Sequence, residues 1–244
     1  MTTAGPRRPP ALYTASGLGW VALVAWMPAA HQHPAPMSST QHGPSTASLA
    51  AFGAGWAVML IAMMAPLLVA PVRHIRSRSL ARRRGRSVAS FLAGYGAVWL
   101  VAGAVPAAVA LSQVRPATAV VIAAGVLLWQ VSPAKQLCLN RLHAHPPLSA
   151  FGTAADRDAL RFGTTHGGWC AASCGPVMLL PFLTPGGHLV TMAAVALWVA
   201  AERLDRPAAP GWRVRGVSST ARLIDARVRV LVDRRRSPAH PSHP

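Results

Sequence analysis

The chain has 244 residues, 24 Lys plus Arg against 6 acids, a formal net charge of +18, and only 12% charged residues beside 52% hydrophobic ones. Soluble domains carry about a quarter charged residues, so this composition speaks against an ordinary soluble enzyme. The placement of the charge speaks against a basic nucleic-acid binder, because no Lys, Arg, Asp or Glu occurs from Pro9 to Val72 or from Phe162 to Ala201.

Uncharged stretches of that length, rich in Ala, Val, Leu and Trp, predict membrane spans of about 20 residues each. The expected fold class is all-α, a polytopic helical bundle with six transmembrane helices over residues 11–30, 49–72, 90–114, 117–133, 167–183 and 188–201. The last two sit at the short limit and are joined by Thr184-Pro185-Gly186-Gly187, so a re-entrant hairpin is the alternative there. Residues 1–204 form the expected membrane domain and 205–244 a basic tail.

Orientation follows from the basic residues, which collect in cytoplasmic loops. Seven arginines lie between spans two and three, from Arg73 to Arg86, and ten lie from Arg203 to the end. With both termini cytoplasmic, Arg115 alone among the basic residues falls outside. The partners this implies are the bilayer and anionic lipid at its cytoplasmic face, without nucleic acid. Arg7-Arg8 before an apolar core also fits a signal peptide, although Pro28 suits the cleavage motif poorly. In the tail, Val214, Val217, Ala221, Ile224, Val228 and Leu231 step by three and four between arginines. That pattern suits a helix lying on the inner leaflet, or over 228–232 a short strand; the residues beyond Arg236 have a disordered composition.

Three cysteines in a reducing compartment are not expected to form disulfides. Cys170, Cys174 and Met178 are spaced four apart, one stripe of a helix, which His166 extends if the helix begins that early. Thiolate and thioether select Cu(I), with Zn(II) as the competitor where thiolates and imidazole dominate. The alternative is that small Cys, Ala and Ser residues serve close helix packing. In span two, Met59, Met63 and Met64 offer thioethers, or are adaptable core fillers. Met63 lies about 15 Å above the inner interface and Cys174 about 12 Å at 1.5 Å per residue, so the two spans could share one ion if they are neighbours. Cys138 with His143, His145 and His166 forms a looser group near the inner surface. The outer loop gathers His31, His33, Met37 and His42, which suits copper capture or a plain polar linker.

No carboxylate is expected in mid-membrane, where proton-coupled transporters place one. No phosphate-binding glycine loop and no Ser/His or paired-carboxylate constellation is present. The expectation is therefore a protein that is not an enzyme.

Four motifs in order carry a resemblance: Trp56-x2-Met59-x2-Ala62-Met63-Met64-x-Pro66, Trp129-Gln130-x2-Pro133-x-Lys135-x2-Cys138-Leu139, Gly168-x-Cys170-x3-Cys174-x3-Met178, and Glu202-Arg203. Together they resemble a bacterial family of predicted metal-binding integral membrane proteins, a domain of unknown function whose members are often labelled copper chaperones. The resemblance spans roughly residues 49–204. It implies a multi-pass protein of the bacterial inner membrane that handles a metal, copper in the first place, for a donor or acceptor protein. Met59, Met63, Met64, Cys138, Cys170, Cys174 and Met178 match the family's sulfur positions. The chain departs from the family where adjacent cysteines before a Trp are replaced by Ser173-Cys174-Gly175, and where Leu142, His143 and His145 stand in place of a further Cys. The competing function is a scaffold, assembly factor or small-solute permease in which Met and Cys only pack.

Overall fold

The computed structural model describes residues 10–32, 46–112, 114–184 and 187–216, with side chains at 11–25 and from 49 onward. The side chains of the outer histidine loop, the signal-like Arg7-Arg8 and the tail beyond Gly216 lie outside the described residues.

Among the described residues the secondary structure is helical throughout, without a strand. Helix α1 covers Pro10–Gln32 and α2 covers Thr46–Met64. Pro66 lacks the N–H that would continue the α ladder, and the chain passes through a 3₁₀ segment, Ala65–Leu68, into α3, Val69–Arg78. Helix α4 (Arg84–Ala102) runs on through Gly103 into α5 (Ala104–Leu111). Helix α6 (Pro116–Val131) ends at Ser132, where extended backbone and Pro133 start α7 (Pro133–Leu142) at a bend of 61°. The Ser132 hydroxyl accepts the Lys135 N–H at 3.2 Å, an ordinary N-cap. Helix α8 covers Gly152–Cys174, a 3₁₀ segment follows over Val177–Leu183, and α9 covers His188–Arg203.

The most extensive helix pair is α4 with α8. Two glycines permit it. A Cβ on Gly163 would lie 2.1 Å from the Phe91 carbonyl oxygen, and one on Gly94 would lie 2.5 Å from that of Leu160. Small residues at a helix crossing let backbones touch, which is how helices associate where apolar burial drives little. Phe91, Tyr95 and Trp99 of α4 then fill the core beside Phe162, His166 and Cys170 of α8. At their N-terminal ends Arg83 and Arg86 reach Asp156 at 3.0 and 2.8 Å, tying the starts of the two helices. Trp56 of α2 donates to the Trp99 carbonyl at 3.1 Å and leans on Gly103. Phe52 and Trp56 pack on Phe182, with centroids 5.9 and 6.5 Å apart.

Two helical runs among the described residues are long and apolar enough to cross a membrane, Leu49–Arg78 and Ala81–Leu111. The bent pair α6–α7 makes a third if counted as one span. The sequence led to an expectation of six, and the difference has local causes. Span two continues to Arg78 and span three begins before residue 90. Helix α8 starts at Gly152 and carries Asp156, Arg157, Asp158 and Arg161 in its first turns, so its apolar part is only its C-terminal end. Helix α9 has 16 residues, about 24 Å at 1.5 Å per residue, less than the hydrocarbon thickness of about 30 Å. In α1 the apolar stretch is Ala11–Ala25.

Candidate metal centre

Because α8 begins at Gly152, His166, Cys170 and Cys174 stand on one continuous helix and one buried face. All three cysteines of the chain are free thiols, with Cys170 1% and Cys174 0% exposed. The α spacing stops at Cys174. Gly175 still donates to the Ala171 carbonyl at 2.7 Å, but Pro176 follows and the 3₁₀ segment begins, so Met178 sits above the thiols on a tighter turn, 1% exposed. The expected four-residue ladder therefore holds through two thiols and changes pitch at the thioether.

The thiols have a charged neighbour. Arg203, on the last turn of α9, directs Nη2 at Cys170 Sγ (3.1 Å) and Cys174 Sγ (3.5 Å). Tyr95 Oη lies 3.3 Å from Cys170 Sγ, and Ser173 Oγ 3.4 Å from Cys174 Sγ. Two buried sulfurs one helical turn apart thus share one cation, which can balance negative charge placed on them.

The carboxylate next in sequence is engaged elsewhere. Glu202, 1% exposed, holds Lys135 Nζ with both oxygens at 2.7 Å, and Trp198 Nε1 donates to it at 2.9 Å. Lys135 is itself 0% exposed and also donates to Gln130 Oε1. Buried charges require such pairing. Glu202 is thus an interior carboxylate, but one neutralised by a lysine.

Met59, Met63 and Met64 are all buried and share the core cluster with Cys170, Cys174 and Met178. Met64 lines an open apolar groove of about 450 Å³ between α1, α2 and α4, beside Tyr95 and Trp99. Helix α2 packs chiefly on α1, and α8 on α4 and α7; Phe52 and Trp56 of α2 touch Phe182 in the 3₁₀ segment that follows α8. Cys138 is buried on α7, a helix that packs against α8. Among the described residues no group of three or more His, Cys, Asp and Glu side chains gathers as a ready metal cage.

A model of copper chaperones, the PpoB2 family, matches residues 53–222, well over half of the chain. The chain belongs to that family. No curated protein and no solved structure matches it.

The geometry gives the residues of the sequence motifs that carry no sulfur a part beside those that do. Trp129 Nε1 donates to the Ala172 carbonyl at 3.1 Å, fixing α6 against α8 between the two cysteines. Gln130, Lys135 and Glu202 form the buried ionic group that sets α7 and α9, and hence Arg203, in place. The matched region also takes in a segment after α9. There Arg215, 4% exposed, donates to the carbonyls of Gln130 and Ser132 and to Gln136 Oε1 at 2.7–2.8 Å, bracing the bend between α6 and α7.

Sequence reasoning missed Arg203 as a partner of the thiols, Tyr95, and His74. The Glu202-Arg203 pair was visible as a motif, but only the placement of α9 shows which residue each one meets. His74 was hidden among arginines; its ring lies 4.9 Å from that of His145. His166 is buried among Phe91, Tyr95 and Phe162, with ring centroids 5.6–6.2 Å away. The loop that carries His145 is latched to α8: Ser149 donates its hydroxyl and its N–H to Asp158 Oδ2 at 2.6 and 3.0 Å. Those two hydrogen bonds hold the Asp158 carboxyl below its ordinary range.

Proposed function

We propose that this copper chaperone is a multi-pass protein of the bacterial inner membrane that binds Cu(I) through Cys170 and Cys174 and passes it to another protein, without enzymatic activity. The observation that carries the proposal is the pair of buried thiols one turn apart, both within 3.5 Å of the Arg203 guanidinium. Cu(I) favours few, soft ligands. Two thiolates on one ion leave a net negative charge, and a cation already lies against both sulfurs to balance it.

Thioethers complete the site from above. Phe182 packs on Trp56; from that contact α2 leads toward Met63, and the 3₁₀ segment, read backward, leads toward Cys174. From Trp56 to Met63 is about 10 Å along a helix. From Phe182 back to Cys174 the rise, part 3₁₀ and part α, is about 14 Å. Met59 and Met63 therefore fall at the depth of Met178 and Cys174, and Met178 is the first candidate for a third ligand. Cys138 and His166 flank the thiols on the inner side as transfer ligands, and Met64, turned to the groove, is the outlying member. Zn(II) is the lesser cargo, since it would require four ligands of which nitrogen or carboxylate form a part.

Protein purified in detergent under reducing conditions is expected to retain Cu(I) through desalting, and Cys170→Ser with Cys174→Ser to release it. Full retention by the double variant would return both cysteines to packing and favour the scaffold or permease reading.

A further inference from the structure

We infer that His74 and His145 form a second, imidazole site for Cu(I) beside a cavity walled by His166, where the ion docks on entering or leaving. This rests on the reading of Cys170 and Cys174 as the copper site and adds a separate stop before it. His74 comes from the inner end of α3, His145 from the loop between α7 and α8, and their ring centroids lie 4.9 Å apart at 62°.

Both rings are oriented for metal by backbone carbonyls. His74 Nε2 lies 2.9 Å from the Pro146 carbonyl oxygen, and His145 Nδ1 2.9 Å from that of His143. A carbonyl only accepts, so each of these nitrogens carries the proton. The unprotonated nitrogens are then Nδ1 of His74 and Nε2 of His145. Metal-binding imidazoles are held in this way, the far N–H on a carbonyl and the near nitrogen free. With metal–nitrogen bonds of about 2 Å, one ion can reach both rings at this separation.

One ring of the pair, that of His145, borders a cavity. A pocket of about 240 Å³ is lined by His145, Pro146, Arg141, Phe162, His166 and Trp169. His145 is exposed at its rim and His166 buried in its wall, one helical turn before Cys170. The order from surface to interior is therefore imidazole, imidazole, thiol. Ligands soften along it, which draws Cu(I) inward and leaves the outer pair as the weaker, exchangeable stop.

Cu(I) is titrated into detergent-purified wild type, His74→Ala/His145→Ala and Cys170→Ser/Cys174→Ser under anaerobic conditions, with X-ray absorption to distinguish nitrogen from sulfur ligands. The cysteine variant is expected to take up Cu(I) weakly on imidazole alone, and His74→Ala added to it to remove that uptake. The histidine variant is expected to keep the sulfur-bound ion but to lose the nitrogen contribution that wild type shows at excess Cu(I). Should the cysteine variant fail to fold, wild type carrying excess Cu(I) still shows an imidazole contribution that the histidine variant lacks. Imidazole binding that survives His74→Ala/His145→Ala, or no imidazole contribution at all, overturns the inference. Failure of the sulfur site instead appears as loss of tight retention in wild type, with the imidazole signal intact.

Discussion

Arg203 Nη2 lies 3.1 Å from Cys170 Sγ, joining the last turn of α9 to the middle of the α8 sulfur stripe. An arginine and a cysteine in contact inside a helical bundle form an unusual pair, and its value depends on the sulfur's charge. A thiol would gain one weak acceptor contact, whereas a thiolate, free or copper-bound, gains a full counter-charge in a medium of low dielectric.

Arg203→Met is therefore expected to weaken Cu(I) binding by about 10- to 100-fold, the size found when an outer partner of a metal site is removed. Arg203→Lys should recover part of the loss, because it keeps the charge but not the planar fork. Competition with a Cu(I) chelator measures both, and X-ray absorption should report the same sulfur ligands in each variant. An affinity unchanged in Arg203→Met would show that the guanidinium serves only packing.

The Lys135–Glu202 pair invites a second test. Each partner alone would be a buried, uncompensated charge, so Lys135→Met or Glu202→Gln should cost about 3–5 kcal/mol. The double variant Lys135→Met/Glu202→Gln should lie much nearer to wild type, since two neutral side chains need no counter-charge. Thermal unfolding in detergent gives the comparison. Additive losses in the double variant would mean the pair is not coupled as the 2.7 Å contacts indicate.

Much of this was legible beforehand, and the residues show where legibility ended. Cys170, Cys174 and Met178 were singled out by spacing, and the helix under the cysteines is there; the spacing could not register that Gly175-Pro176 changes the helix type before Met178. Long uncharged stretches revealed a helical, apolar chain, but periodicity could not locate the start of α8, because a helix that begins charged and ends apolar reads as a loop followed by a span. Lys135, Arg203 and Arg215 were counted as surface charge. All three are wholly or largely enclosed by partners that lie far away in sequence, Glu202, the thiols, and the Gln130 and Ser132 carbonyls. Partners at such separations are set by tertiary packing, which no local pattern encodes.

The α4–α8 crossing carries the third prediction. At Gly163 an added methyl would meet the Phe91 carbonyl oxygen at 2.1 Å, a backbone atom that cannot swing aside. Gly163→Ala must push the helices apart and should cost about 1–3 kcal/mol, as overpacking does. Gly168, on the same helix, has nothing within 4 Å of a built Cβ. Gly168→Ala should be neutral or gain up to about 1 kcal/mol from helix propensity. Equal effects at the two positions, read by unfolding in detergent, would remove the close crossing as the reason for glycine at 163. Since Cys170 lies two turns beyond Gly163, the first variant should also lose copper and the second should not.

The last prediction concerns how the chain sits in the bilayer. Removing the residues held by interior partners from the positive-inside count takes away Lys135, Arg203 and Arg215, whose positions are explained by those partners. Of what remains, the largest group between apolar helices is the seven arginines from Arg73 to Arg86, at the connection between the two longest of them. These flank spans two and three directly, which is where basic residues act on topology. Arg83 and Arg86 are held by Asp156 but remain at the surface, with Arg86 69% exposed. The connection should be cytoplasmic, and the end of the chain with it, while Gln41, beyond the other end of α2, should be external. A reporter active only in the periplasm should work when fused at Gln41 and fail when fused at the C-terminus. Replacing Arg82, Arg83 and Arg84 by Gln should blur that contrast, whereas Lys135→Gln and Arg203→Gln should leave it unchanged. An inverted pattern at Gln41 would place the His74–His145 pair outside and reverse the direction from which copper reaches it.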